Sequence, residues 1–302
     1  MSSAAFVFPG MAPSKFAELT KFLVLDASAR QRVAEADDVV GYSILDAYAD
    51  GEDDYSAAAQ LAFLVSCVAL ADSLTFRPDA VTGVSFGQKA AAVYSGALSF
   101  ADAVRLTAIQ ADCEAEYFAS QHQDVVTHTV MRVPEDGWRT VLGELSWYEI
   151  SGVVDDGFHM ISLHEGELEE FTRRISAVGG YSLYTMRPPV HAPAFEALRR
   201  RASAAAFGDC PLRDPEIPLV TDQDGTVVTT AAQVRTMLLD TFDRPIDWPS
   251  VTASLHRLDV TELHFCGTDN LFSRVPRAKE FKVVAHNPKL ALKPRREAVL
   301  AG

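Results

Sequence analysis

No apolar run in this chain is long enough to cross a bilayer. The most apolar stretch, Ala57 to Ala71, is interrupted by Gln60 and Ser66 and falls short of the ~20 residues that a spanning helix needs. It reads as a buried helix, so no membrane partner is expected. Paired cysteines are also missing. The four present (Cys67, Cys113, Cys210 and Cys266) are scattered, with neither C-x-x-C nor zinc spacing. That pattern gives no metal site and no disulfide framework, and it points to a reducing, cytoplasmic compartment. Positive charge is scarce too. A net charge of −14 argues against nucleic acid or an anionic membrane as a general partner, because both need a basic footprint. The opening residues, Met1 to Gly10, carry no basic n-region and do not look like a signal peptide.

What is there describes an ordinary folded protein. Of 302 residues, 48% are apolar and 23% charged, enough for one large α/β domain with a small inserted one. Phe6-Val7-Phe8 before Pro9-Gly10 reads as a buried strand ending in a turn. Helical segments follow at Ala27–Ala36 and Ala57–Leu74. Val81 leads a second strand, and Phe100–Phe118 is again helical. Strands alternating with helices favour a parallel sheet covered on both faces.

The texture changes at Val125. Strand Val125–Val133, helix Glu135–Leu145, strands Trp147–Val153 and Phe158–Leu163, helix Glu165–Ala177 and strand Tyr181–Met186 follow in turn. Asp155-Asp156-Gly157 marks a hairpin. The order βαββαβ is ferredoxin-like. Sheet-like texture returns at Ile217–Val220 and Val260–Phe265, so this unit reads as an insertion. The expected division is a large α/β-hydrolase-like domain with a parallel sheet, residues 1–124 and 192–302, and a ferredoxin-like subdomain, residues 125–191.

One short stretch carries chemistry. Gly83-Val84-Ser85-Phe86-Gly87 has the Gly-x-Ser-x-Gly pattern of a nucleophile elbow, a strand-to-helix turn that exposes the serine Oγ. The glycines leave room where the backbone turns tightly. The helix N-terminus that follows would turn N–H groups toward developing negative charge. The same pattern also arises by chance at strand–helix turns. A serine nucleophile needs a base. Among the eight histidines, His191 stands in a turn-rich strand exit, Val190-His191-Ala192-Pro193, placed to reach a cleft rim. His164 and His264 follow apolar strand residues and read as structural or surface.

Taken together, these stretches resemble the malonyl-CoA:acyl-carrier-protein transacylase family. Ala5–Gly10 resembles the family's AFVFPGQGSQ start, and Gly83–Gln88 its GHSxGE elbow. Phe100–Leu106 resembles the segment after the elbow. Val190-His191-Ala192-Pro193 resembles the FHSPL motif, and Asp240–Trp248 the QLxxPVxW motif. Leu263–Leu271 stands where the family reads EVGPGxxL. The motifs keep the family's order over nearly the whole chain.

The resemblance implies a ping-pong acyl transfer with no bound cofactor. Ser85 would attack an acyl thioester, and His191 would act as general base. The backbone N–H groups of Met11 and Phe86 would form the oxyanion hole, and the Thr241 carbonyl would orient His191. Gln110, Val190 and Gln60 would bind substrate. The acyl group would arrive and leave on the phosphopantetheine arm of an acyl carrier protein or on CoA.

The departures from the pattern matter as much. Malonyl-specific members carry an arginine that pairs with the extender carboxylate; the alignment puts Gln110 there, unless the register shifts and Arg105 serves. A buried carboxylate without that partner loses about 3–5 kcal/mol, or two to four decades of affinity. Val190 replaces a Phe, which widens the pocket. The implied enzyme therefore moves a non-malonyl group, monocarboxylic or aminoacyl/peptidyl, to or between acyl carrier proteins in polyketide or antibiotic biosynthesis. An acyl hydrolase on the same fold and a catalytically silent carrier-protein scaffold are the alternatives. Carrier proteins of this kind are acidic, so docking needs a local basic patch. The candidates are Arg132, Arg187, Arg274, Arg277 and Lys279.

Overall fold

The computed structural model describes residues 3–11, 16–51, 55–208 and 210–293. The opening strand β1 (Ala4–Phe8) is buried along its whole length. A strand covered on both faces has no reason to alternate, which is why it reads Ala-Ala-Phe-Val-Phe. The strands that follow are β2 (Ala80–Gly83), β3 (Val125–Met131), β4 (Tyr148–Asp155), β5 (Phe158–His164) and β6 (Tyr181–Met186). Then come β7 (Leu219–Val220), β8 (Val227–Val228), β9 (Ile246–Asp247), β10 (Glu262–Cys266) and β11 (Lys282–His286).

Six strands form the large sheet in the order β11-β10-β1-β2-β7-β8. The pairings from β11 to β7 are parallel. Only β7 with β8 is antiparallel, a short hairpin that closes one edge. The expected parallel sheet is therefore present, with this one antiparallel edge strand. β1 and β2 lie side by side at its centre, so their C-terminal ends, Phe8–Gly10 and Gly83–Ser85, meet. Ligands of open α/β sheets bind at that end of the strands.

Helix Ala57–Asp72 packs beneath these ends. Ser56 caps it by accepting from the Ala59 N–H, and residues from Ala58 to Ala71 are all buried. Gln60 and Ser66 thus mark a core helix, as the sequence suggests. Helix Phe100–Phe118 is capped by Ser99, which accepts from the Asp102 N–H, and it packs on the first helix and on Glu196–Ala206.

The second sheet has the order β6-β3-β5-β4-β9. Its βαββαβ unit appears as expected, with helices Trp138–Leu142 and Leu168–Ala177 on one side. It owns a separate core of Val126, Val130, Ile161, Leu163, Phe171 and Ile175. Gly157 takes φ 62° at the hairpin tip, a conformation glycine adopts without a steric cost. Strand β9 comes from outside the unit and pairs parallel with β4. Arg277 adds a second fastening: its backbone N–H and Nε donate to Asp155, at 3.2 and 3.1 Å, and its other guanidinium end reaches Asp156. β9 and Arg277 thus tie the unit to the rest of the chain, and the cleft between the two sheets opens beside Ser85.

Among the described residues no helix is long and apolar enough to cross a membrane. All four cysteines are free.

Candidate active site

Ser85 stands where the chain leaves β2 and turns into helix Gln88–Tyr94. Its φ is +53°, an uncommon angle for a residue with a Cβ that costs of order 1–3 kcal/mol. The flanking glycines make the turn possible. A Cβ on Gly83 would overlap the Gly87 backbone, and one on Gly87 would overlap the Phe8 carbonyl. The elbow is held from behind by Asp222, which follows β7. The Ser85 N–H donates to Asp222 Oδ2 at 2.5 Å, and the Gln88 amide donates to Oδ1. Burial pushes the Asp222 carboxyl up to about 7, against the lowering effect of these hydrogen bonds.

His191 is fully buried, and its Nε2 lies 2.7 Å from Ser85 Oγ. It too has a positive φ, 68°, and its backbone N–H donates to the Phe242 carbonyl at 2.9 Å. Burial holds the imidazole down to about 4, with the nearby Arg244 backbone carbonyl as the smaller, raising effect. Nδ1 has no hydrogen-bond partner among the described residues. With the ring proton on Nδ1, Nε2 is free to accept the serine proton. The Thr241 carbonyl expected to orient the ring makes no hydrogen bond to Nδ1, and Thr241 lines the inner cavity at the end of helix Ala231–Asp243.

Ser85 separates two cavities. The front one, about 260 Å³, runs between the sheets and is bounded by Met160, Tyr184 and Met186 on one side and by Asn270 and Phe272 on the other. Asp269 shapes that far wall by accepting from the N–H groups of Leu271, Phe272 and Ser273. The inner cavity, about 70 Å³, holds Met11, Phe86, Gln110, Val190 and Thr241 around Ser85. Five of the residues singled out from sequence are thus brought together. Met11 and Phe86 stand beside the nucleophile. Gln110 is fully buried, and neither its Oε1 nor its Nε2 has a partner. Arg105 is not there: its guanidinium is exposed and paired with Asp102.

Gln60 lies one layer back. Its Nε2 donates to Glu114 at 3.0 Å and to the Tyr55 carbonyl at 3.1 Å, and it lines an outer cleft rather than the inner cavity. Outside the inner cavity, Gln60 supports Glu114.

Two charged residues of the inner cavity went unremarked in the sequence, Lys89 and Glu114. Lys89 is buried, with Nζ 4.2 Å from the centre of the Phe86 ring. Burial lowers its pKa to about 8, with Glu114 opposing. Desolvation raises Glu114, against the charge of Lys89 and the hydrogen bond from Gln60. In sequence Lys89 looks like an ordinary surface lysine of an Ala-rich helix; only its position one turn after the elbow hints otherwise.

The basic candidates divide. Arg277 is committed to Asp155 and Asp156, which removes it as a free docking charge. Arg187 is paired with Glu165. Arg132 lies over the Tyr181 ring at 5.5 Å. Arg274 is exposed, 3.3 Å from Asn270 at the front cavity, and Lys279 is exposed. His264 is structural, as expected: its Nδ1 meets His286 Nε2 at 2.9 Å.

A serine held on a strained elbow against a histidine, at the end of a parallel sheet and beside a ferredoxin-like unit, is a Ser–His site of the acyl-transfer class. Within that class, the chain is similar to the malonyl-CoA:acyl-carrier-protein transacylases. Residues 129–186 match the family described as the VinK acyltransferase small domain. The malonyl CoA-acyl carrier protein transacylase of Bacillus subtilis is 25% identical over 286 residues, covering 90% of this chain and 70% of the relative. The structure of the Coxiella burnetii malonyl CoA-acyl carrier protein transacylase superposes with a TM-score of 0.82 at 20% identity, covering 96% of each chain. A malonyl-transacylase in complex with its type II polyketide acyl-carrier protein gives a TM-score of 0.81 at 20% identity, covering 94% of this chain and 96% of that one.

Proposed function

We propose that this protein transfers a non-malonyl acyl group to or between acyl carrier proteins, through an ester on Ser85, in polyketide-type biosynthesis. The observation that carries the reading is the pairing of Ser85 and His191 at 2.7 Å at the junction of two cavities, with the Gln110 amide on the acyl side. Ser85 Oγ attacks the thioester carbonyl and gives its proton to His191 Nε2. The C–S bond breaks, and the departing sulfur takes that proton. The acceptor thiol then reverses the steps. The N–H groups of Met11 and Phe86, residues that line the cavity beside Ser85, serve as donors to the tetrahedral oxyanion.

The front cavity suits the phosphopantetheine arm, because it lies between the sheets with exposed Arg274 next to Asn270 of its wall. The subdomain at residues 125–191 supplies one wall of that passage. The acyl group then occupies the inner cavity. A malonyl carboxylate there would face an uncharged amide. Lys89 is present, but its charge is offset by Glu114 on the same wall, and Glu114 repels a second carboxylate. A neutral acyl group meets neither difficulty.

Intact-protein mass spectrometry with a panel of acyl thioesters tests the reading. Wild type should gain one acyl group that persists until a carrier protein is added, and Ser85→Ala should gain none. An adduct on Ser85→Ala overturns the nucleophile. Loss of the acyl group to water at the same rate without any carrier protein identifies a hydrolase instead.

A further inference from the structure

The inner cavity is small, about 70 Å³, little more than the space of two waters. A compact acyl unit would fill it. Yet it does not end blindly. A larger cleft of about 600 Å³ lies behind it on the far side from the front cavity, and both spaces have Tyr55, Glu114 and Pro188 in their walls. One helix, Phe100–Phe118, lines the whole way. Gln110 and Glu114 are four residues apart and so share a face, Gln110 beside Ser85 and Glu114 at the junction. Ala111, Ala115 and Phe118 then line the rear cleft. From Gln110 to Phe118 the helix rises about 12 Å, roughly the length of three extended residues.

Two features of the path need an explanation that a compact acyl group does not supply. The first is the Gln110 amide, fully buried with both its donor and its acceptor unpartnered. A native core rarely leaves such a group unsatisfied. The second is the row of alanines (Ala57, Ala111, Ala115 and Ala119), which keeps the rear cleft open where larger side chains would close it.

We propose that the acyl chain carried on Ser85 is extended and polar: it pairs with Gln110 near its root, passes the throat formed by Tyr55, Glu114 and Pro188, and ends in the rear cleft. This rests on the acyl-serine reading above and adds to it the length and polarity of the substrate. The in-chain polar group supplies the hydrogen bonds that Gln110 lacks. Glu114, held by Gln60, gives the throat a polar wall that a purely alkyl chain would have to desolvate.

Ala115 is exposed, so Ala115→Trp obstructs the cleft without disturbing the core, and Ala119→Trp does the same from the next turn. The probes are acetyl-pantetheine and N-acetylglycylglycyl-pantetheine, both uncharged on the acyl side. The rate of Ser85 acylation is followed by intact-protein mass spectrometry. Wild type should favour the extended probe. Each Trp variant should slow acylation by the extended probe about tenfold or more and leave the acetyl rate within about twofold. Equal slowing of both probes, or of neither, overturns the proposal while leaving the acyl-serine reading intact. Failure of both probes to acylate wild-type Ser85 overturns that reading, and the substrate assignment with it.

Discussion

The backbone N–H of Ser85 is held by a side chain from a different strand, Asp222, at 2.5 Å. This bond fastens the strained elbow, but the carboxylate is buried. With its pKa raised from 3.8 to about 7, the folded state binds more protons than the unfolded state between those values. Asp222 therefore contributes stability that is fully present below pH 3.8 and is lost as pH rises toward 7. Asp222→Ala should cost about 1–3 kcal/mol by leaving the Ser85 N–H unpaired. Asp222→Asn should be tolerated. The Asn oxygen can accept from Ser85, and its amide can donate to Gln88 Oε1, which has no partner in the wild type. Urea denaturation at acid and alkaline pH checks this. The Asn variant should gain on wild type as pH rises, and a constant difference would separate Asp222 from the pH effect.

His191 acts as a base only while neutral. Burial lowers its pKa from 6.5 to about 4, so the acylation rate should stay flat from neutral pH down to the neighbourhood of pH 4 and fall below it. His191→Ala should slow acylation by about 10²–10⁴-fold. A pH–rate profile for a small thioester measures both. An inflection near 6.5 would mean that the imidazole is open to water during turnover.

Gln110→Arg should turn the inner cavity toward carboxylates. A guanidinium offers two charge-assisted hydrogen bonds, so the ratio of malonyl to neutral thioester acylation should rise at least about tenfold. The measurement is competition at equal concentration. If malonyl already wins in the wild type, Lys89 rather than Gln110 is reading the carboxylate, and Lys89→Met should abolish the preference.

Arg274 and Arg277 are close in sequence and should behave differently. Arg274→Glu should weaken transfer to a carrier protein, with strong salt dependence, and leave acylation from a small thioester unchanged. Arg277→Glu would place a carboxylate against Asp155, which is 6% exposed, and should lower stability and slow both half-reactions. Thermal denaturation alongside the two half-reaction rates separates the cases. Equal salt sensitivity in both variants would return Arg277 to the docking surface.

What could be read from the residues in order was everything that local chemistry dictates. The unalternating run at Phe6–Phe8 could be only a doubly covered strand. The glycines around Ser85 could be only a tight turn, because any Cβ there overlaps backbone. The strand-like and helical runs in turn and the Asp-Asp-Gly turn between 125 and 186 spelled out βαββαβ. Ser85 and His191 stand in short motifs with their own neighbours, whereas Gln110 is singled out only by the family alignment through Phe100–Leu106. The rest depended on which segments fold against one another. Asp222 reaches the elbow only because β7 pairs with β2. His191 is held through its backbone N–H by the Phe242 carbonyl only because helix Ala231–Asp243 ends beside it. Lys89 and Glu114 read as surface charges until the helices carrying them enclose one cavity. Arg277 looks free until the β4–β5 hairpin meets it. Burial and pairing between distant segments set these roles, and no spacing along the chain encodes them.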